Sequence, residues 1–139
     1  MTNHTNPAAP IFGFLPQDAV ALVARLLLAA IFLIAGVGKI ATIEATTGYI
    51  ASMGLPFAEV ITYATIALEV GGAVLLIAGY QTRAAAAALG LFSIAAAIIF
   101  HADFADQMQF TSFLKNLAIA GGMFQVVGFG PGRFSMDRG

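Results

Sequence analysis

The residues able to do chemistry in this chain are few and stand mostly inside or beside long apolar runs. Glu69 lies near the middle of the stretch from Phe57 to Gly79, and His101 closes the apolar run that follows. A carboxylate and an imidazole can hold and pass protons. Arg25, Lys39, Arg83 and Lys115 supply fixed positive charge, which stabilises developing oxyanions, and Asn116 supplies an amide. Glu69 and His101 are therefore the candidate catalytic residues. Arg25, Lys39, Arg83, Lys115 and Asn116 are candidates for a substrate-binding or structural polar layer.

Such groups need a scaffold, and the composition says which. Of 139 residues, 60% are hydrophobic and only 9% charged, against about one quarter charged in ordinary soluble domains. This is the composition of an integral membrane protein. The expected fold is all-α: a four-helix membrane bundle with a short surface helix between the first and second spans. The spans run from about Asp18 to Ile40, Phe57 to Gly79, Arg83 to His101 and Thr111 to Val127, each near the 20 or so residues that cross a bilayer. Asp18 is an N-cap or first-turn acid. Between the first two spans, Ile43, Ile50 and Met53 fall near one helical face, Tyr49 sits at headgroup level, and Gly54-Leu55-Pro56 stops the helix. Residues 1–17 form an N-terminal tail, 18–129 the membrane domain and 130–139 a C-terminal tail. The first tail has no Lys or Arg and does not read as a cleaved signal; Pro7, Pro10 and Pro16 interrupt it, with Ile11, Phe12 and Phe14 at the membrane surface.

A lone carboxylate at the depth of Glu69 must be protonated, paired or turned toward a wet interior. Ala67 to Gly71 is a small-xxx-small step that predicts close helix contact, as do Ala86 with Gly90, Ser93 with Ala97, and Ala118 with Gly122. At about 1.5 Å per residue, Arg25 lies about 10 Å and Glu69 about 15 Å from the same membrane face. An Arg25–Glu69 pair is the first expectation, with Arg83 either joining it or reaching headgroups. Such a pair could also do no more than lock two helices together. At the opposite end Lys39, Glu59, His101 and Lys115-Asn116 share a depth and could line a polar mouth. Taken singly, the lysines read as interfacial anchors and His101 as a capping residue. Arg83, Arg133 and Arg138 gather on the side of the termini, while Glu44, Glu59, Asp103 and Asp106 gather opposite, which places both termini in the cytoplasm.

Other chemistries are excluded or unsupported. The chain has no cysteine, so it has no thiolate, disulfide or cysteine-held metal. With only His4 and His101 as imidazoles, and His4 in a polar tail, neither haem nor another metal is expected. A net charge of −1 gives no basic surface for nucleic acid.

The order of short pieces resembles the DoxX family of small bacterial inner-membrane proteins. Those pieces are Arg25 followed by FLIAGVGK ending at Lys39, Tyr49 before MGLP, ALEVGGAVLLIAGYQTR, His101, KNLAIAGG from Lys115 to Gly122, and GPGRFSMDRG. They cover nearly the whole chain. The resemblance implies a multi-pass protein of the bacterial inner membrane, related to membrane subunits of thiosulfate:quinone oxidoreductases and to proteins of thiol and oxidative-stress defence. It also implies that Arg25, Lys39, Glu69, Arg83, His101, Lys115 and Asn116 are the recurrent polar positions. The leading expectation is a membrane subunit of a quinone-linked, sulfur- or thiol-related oxidoreductase system, with a quinone as cofactor and other membrane or redox subunits as partners in the bilayer. The alternative is a non-catalytic scaffold or assembly subunit of a larger inner-membrane complex. A transporter ranks third, because no inverted symmetry is evident.

Overall fold

The computed structural model describes residues 10–11 and 15–137. The expected settings of His4, Pro7, Phe12, Phe14 and Arg138 lie outside the described residues. A two-residue antiparallel pairing of β1 (Pro10–Ile11) with β2 (Leu15–Pro16) leads into an otherwise helical chain. Its helices are α1 (Gln17–Ala41), α2 (Ile43–Ser52), α3 (Ala58–Ala78), α4 (Thr82–Phe100) and α5 (Gln107–Phe129). Among the described residues, α1, α3 and α4 are long and apolar enough to cross a membrane. At 23 residues α5 is as long, but it carries Gln107, Gln109, Lys115, Asn116 and Gln125.

Helix α1 packs chiefly on α3, α3 on α4 and α4 on α5, with a lighter contact between α1 and α5 and with α2 laid against α3. The core is narrow. It consists of Ala29, Phe32, Ala73, Leu76, Ala85, Ala86, Leu89, Met123 and Val126. Small residues set the spacing, as expected where lipid on the outside removes the hydrophobic drive and close contact must hold helices together. A Cβ at Gly36 would come within 2.7 Å of Val70 Cγ2, one at Gly72 within 2.9 Å of Leu89, and one at Gly90 within 2.9 Å of Phe124. Ala86, Gly90, Ser93 and Ala97 are all buried along α4, as their spacing predicts. The step from Ala67 to Gly71 is not a contact: both residues are exposed, and open space surrounds the Cβ position of Gly71. The inward set on α3 is Glu69, Gly72, Ala73 and Leu76, the i, i+3, i+4, i+7 face one residue further on. Ala118 likewise faces outward, while Gly122 meets Leu28.

The outer surface carries Leu27, Ile34, Val60, Leu91 and Phe129, all largely exposed. A patch of that extent belongs in lipid.

Several boundaries have identifiable causes. Gly79 adopts φ 69° as the C-cap of α3, and its N–H returns to Leu75 O. Asp18 is the first-turn acid of α1 and not its N-cap, which is Pro16; its carboxylate accepts the N–H of Arg133 at 3.0 Å. Asp106 caps α5 by accepting from Met108 N and Gln109 N, at 2.9 and 3.1 Å, a contact worth about 1 kcal/mol. That cap starts the helix at Gln107 rather than Thr111 and shortens the connection between α4 and α5.

Candidate functional site

The close approach at Gly36 decides the site. Arg25, Ala29, Phe32 and Gly36 form the buried stripe of α1, and Lys39 continues it one turn later. Because Gly36 abuts Glu69 and Val70, the Lys39 side chain arrives beside the Glu69 carboxylate. Nζ donates to both oxygens, at 3.0 Å to Oε1 and 2.8 Å to Oε2. The Glu69 side chain is 5% exposed and that of Lys39 28%. The pair is therefore buried from one side and open on the other.

What it opens into is a cavity of about 620 Å³. Lys39, Glu69, His101 and Asn116 line it together with Thr46 and Tyr49 from α2, and the remaining wall is mainly aliphatic and aromatic, with Leu68, Phe92, Phe100 and Ile119 among it. A mostly apolar pocket of this size with a few convergent polar groups is the usual form of a small-molecule site. Helix α2 covers part of the mouth. Thr62 donates to Ala58 O at 2.8 Å, so the 2.8 Å contact between hydroxyls has Thr47 donating to Thr62. Tyr49 stacks on Phe100 with ring centroids 5.6 Å apart. His101 Nδ1 lies 3.0 Å from Gln109 Oε1, which ties the ring to the first turn of α5.

The expected Arg25–Glu69 pair does not form. Arg25 lies level with Gly79, its guanidinium packed on that glycine's Cα, ten residues or about 15 Å along α3 from Glu69. Its Nη2 donates to Phe134 O at 2.5 Å. Ala29, Phe32, Ala73 and Leu76 fill the space between. Arg83 is exposed, with its guanidinium beside Gly130, and joins no buried layer. Lys115 and Glu59 are exposed and absent from the cavity wall. The structure thus brings together Lys39, Glu69, His101 and Asn116, and leaves out Arg25, Arg83 and Lys115.

Arg25 serves a different arrangement, in which residues 133–137 strap the end of the bundle where α1 begins. Met136 N donates to Ala78 O at 3.1 Å and Asp137 N to Gly79 O at 2.8 Å, while the Asp137 carboxylate accepts from Gln81 N and Thr82 N at 2.8 and 2.9 Å. The carboxylate thereby satisfies the free N–H groups at the start of α4, where a negative charge is favoured. The Thr82 hydroxyl, buried beside it without completing a well-aligned bond, the Thr82 and Gln81 N–H groups and the Arg25 charge together hold the Asp137 carboxyl below its usual range.

Thr46, Tyr49 and Gln109 were not read as site residues from the sequence. The signal for the first two was present: Thr46, Tyr49 and Ile50 share a face of α2 at i, i+3, i+4, whereas Met53, assigned to that face, is exposed and ends the helix. Among the described residues no three His, Cys, Asp or Glu side chains converge as metal ligands would.

The family model for DoxX matches residues 20–102. The inner membrane protein YqjF of Escherichia coli (strain K12) is 37% identical over 122 residues, covering 88% of this chain and 92% of that protein. The inner membrane protein YphA of the same organism is 31% identical over 122 residues, with 84% and 87% covered. No solved structure matches the chain.

Proposed function

The chain belongs to the DoxX family of membrane proteins, and on that premise we propose that it is a membrane subunit of a quinone-linked oxidoreductase system acting on sulfur or thiol compounds. In this reading α5 is a fourth span, and α1, α3, α4 and α5 form a multi-pass bundle in the bacterial inner membrane. Residues 1–17 and 130–139 are then cytoplasmic tails and α2 lies on the opposite surface. Support for the orientation comes from Arg25, Arg83 and Arg133 at one end and Glu44, Glu59, Asp103 and Asp106 at the other. Support for α5 comes from its buried Ala120, Met123 and Val126 and from Asn116 on the cavity wall.

The observation that carries the functional reading is the cavity joined to the Lys39–Glu69 pair. Its apolar wall and clustered polar groups fit a flat, lipid-soluble carbonyl compound. A bound quinone would supply a two-electron acceptor. The chain's own residues have separate tasks there. Lys39, oriented by Glu69, keeps one N–H free to hold an oxygen. The Asn116 amide orients a second polar atom, and Glu69 and His101 hold or pass protons. Leu68, Phe92 and Phe100 keep water away. Electrons come from a partner subunit or a soluble reductant such as thiosulfate, since the chain has no cysteine to exchange.

The test is quinone binding by the purified protein in lipid nanodiscs. Glu69→Gln and His101→Ala are each expected to weaken binding or quinone-dependent turnover at least about tenfold, or 1.4 kcal/mol. Undiminished binding in both variants, or none in the parent, overturns the assignment.

A second reading, a non-catalytic scaffold or assembly subunit, is favoured by the outer face of α3, where Ala67 and Gly71 are exposed side by side. Helices dock on such small-xxx-small steps. A stable partner that co-purifies with the parent and is lost in Gly71→Leu, with quinone binding absent from both, is the outcome this reading expects.

A further inference from the structure

The contact between His101 and Gln109 goes beyond packing. His101 is one of the cavity-lining residues, and Gln109, in the first turn of α5, is not. The imidazole edge carrying Nδ1 is engaged by Gln109 Oε1 at 3.0 Å. With the amide oxygen placed on the ring side, Gln109 only accepts, and the contact puts the proton on Nδ1. A neutral ring then keeps a bare lone pair on Nε2, the edge that Gln109 does not engage. Gln109 is itself held. Asp106 Oδ1 accepts its N–H at 3.1 Å, and the same carboxylate oxygen accepts the N–H of Met108. Backbone fixing at the other end comes from His101 N, which donates to Ala97 O at 3.1 Å. Both ring and amide are thus anchored on capped helix ends.

We propose that Gln109 is a positioning residue that fixes His101 as the Nδ1–H tautomer, so that the ring presents a hydrogen-bond acceptor to the cavity. An acceptor at that wall recognises a hydroxyl on the occupant. The ligand class this favours is a lipid-soluble phenol or hydroquinone, in preference to a molecule bearing only carbonyl oxygens. This recognition step rests on the functional reading of the cavity given above; the tautomer does not.

The experiment is imidazole-nitrogen NMR on the full chain in nanodiscs, with isotope-labelled histidine. A His4→Ala background leaves His101 as the sole signal. The parent is expected to show a protonated Nδ1 and an unprotonated Nε2 at a pH where the ring is neutral. Gln109→Leu is expected to move the proton to Nε2, the tautomer a free histidine side chain prefers, and Gln109→Glu to keep it on Nδ1. A parent ring already protonated on Nε2, or a Gln109→Leu variant with the parent's spectrum, overturns the assignment. Should one variant fail to fold, the other together with the parent spectrum still tests the assignment, and a parent ring protonated on Nε2 overturns it alone. Adding durohydroquinone is expected to shift the Nε2 resonance more than adding duroquinone does. An Nδ1–H ring that responds to neither compound would refute quinone binding while leaving the role of Gln109 standing, so the two failures are separable.

Discussion

Lys39→Met is expected to destabilise the protein by about 3–5 kcal/mol, the cost of stranding a buried carboxylate. The geometry makes Lys39 the partner on which Glu69 depends: two hydrogen bonds at 2.8 and 3.0 Å reach a carboxylate that is 5% exposed, and no other side chain donates to it among the described residues. Glu69→Leu should do less harm, because the ammonium it leaves behind is more than a quarter exposed and can turn toward the cavity mouth. The double variant Lys39→Met with Glu69→Leu removes both charges and should recover most of the lost stability, since an apolar pair of similar volume often replaces a buried ion pair without penalty. On the function proposed above, it should not recover quinone binding. Unfolding of the purified protein in mixed micelles measures all three. A Lys39→Met protein as stable as the parent would show that the pair is not what holds α1 to α3 at this level.

Gly79→Ala is expected to cost about 3 kcal/mol and to release the strap formed by residues 133–137. Two effects add. The backbone is left-handed there, at φ 69°, where a side chain costs about 1–2 kcal/mol. A Cβ would also lie 2.8 Å from Ser135 Cα and run into the Arg25 guanidinium and the Ser135 side chain, and overpacking of that kind adds about 1–3 kcal/mol. Limited trypsin digestion reads the outcome: cleavage after Arg133 should be slow in the parent and fast in the variant. Equal cleavage rates would mean that the strap is held by Asp137 on the N-terminus of α4 and not by the fit at Gly79.

The sequence carried the elements well, because Gly54-Leu55-Pro56 after the short surface helix and Gly79 after a long apolar run leave little choice of boundary. It also carried the inward direction of Glu69 and Arg25, since a charge among apolar residues has few tolerable places. It misled on their pairing. The expected pairing of Arg25 with Glu69 rests on a difference in depth of about 5 Å and on the fit of a guanidinium to a buried carboxylate. Depth counted separately along two helices ignores how the helices slide past each other, and that offset is fixed by Gly36 meeting Val70. Arg25 and Gly36 are 11 residues apart on one stripe, about 16 Å, so the register that seats Gly36 against Glu69 carries Arg25 to the end of the bundle. Lys39, three residues beyond Gly36, was the partner legible in that spacing. The strap was less accessible to sequence reading. It depends on backbone hydrogen bonds from Met136 and Asp137 to Ala78 and Gly79, and a Gly/Pro-rich segment announces a turn without saying where it docks.

The apolar slab of Ala29, Phe32, Ala73, Leu76, Leu89 and Met123 that parts Arg25 from the Lys39–Glu69 pair has an electrical consequence. It is an insulator, with no chain of titratable side chains crossing it among the described residues. On the function proposed above, protons exchanged at Glu69 or His101 would therefore enter and leave by the α2 side alone. If electrons were delivered from the opposite side, each turnover would move charge across the bilayer; if they arrived on the α2 side, it would move none. With α2 on the face away from the cytoplasm, an inside-negative membrane voltage would then assist or ignore the reaction according to which face the reductant approaches.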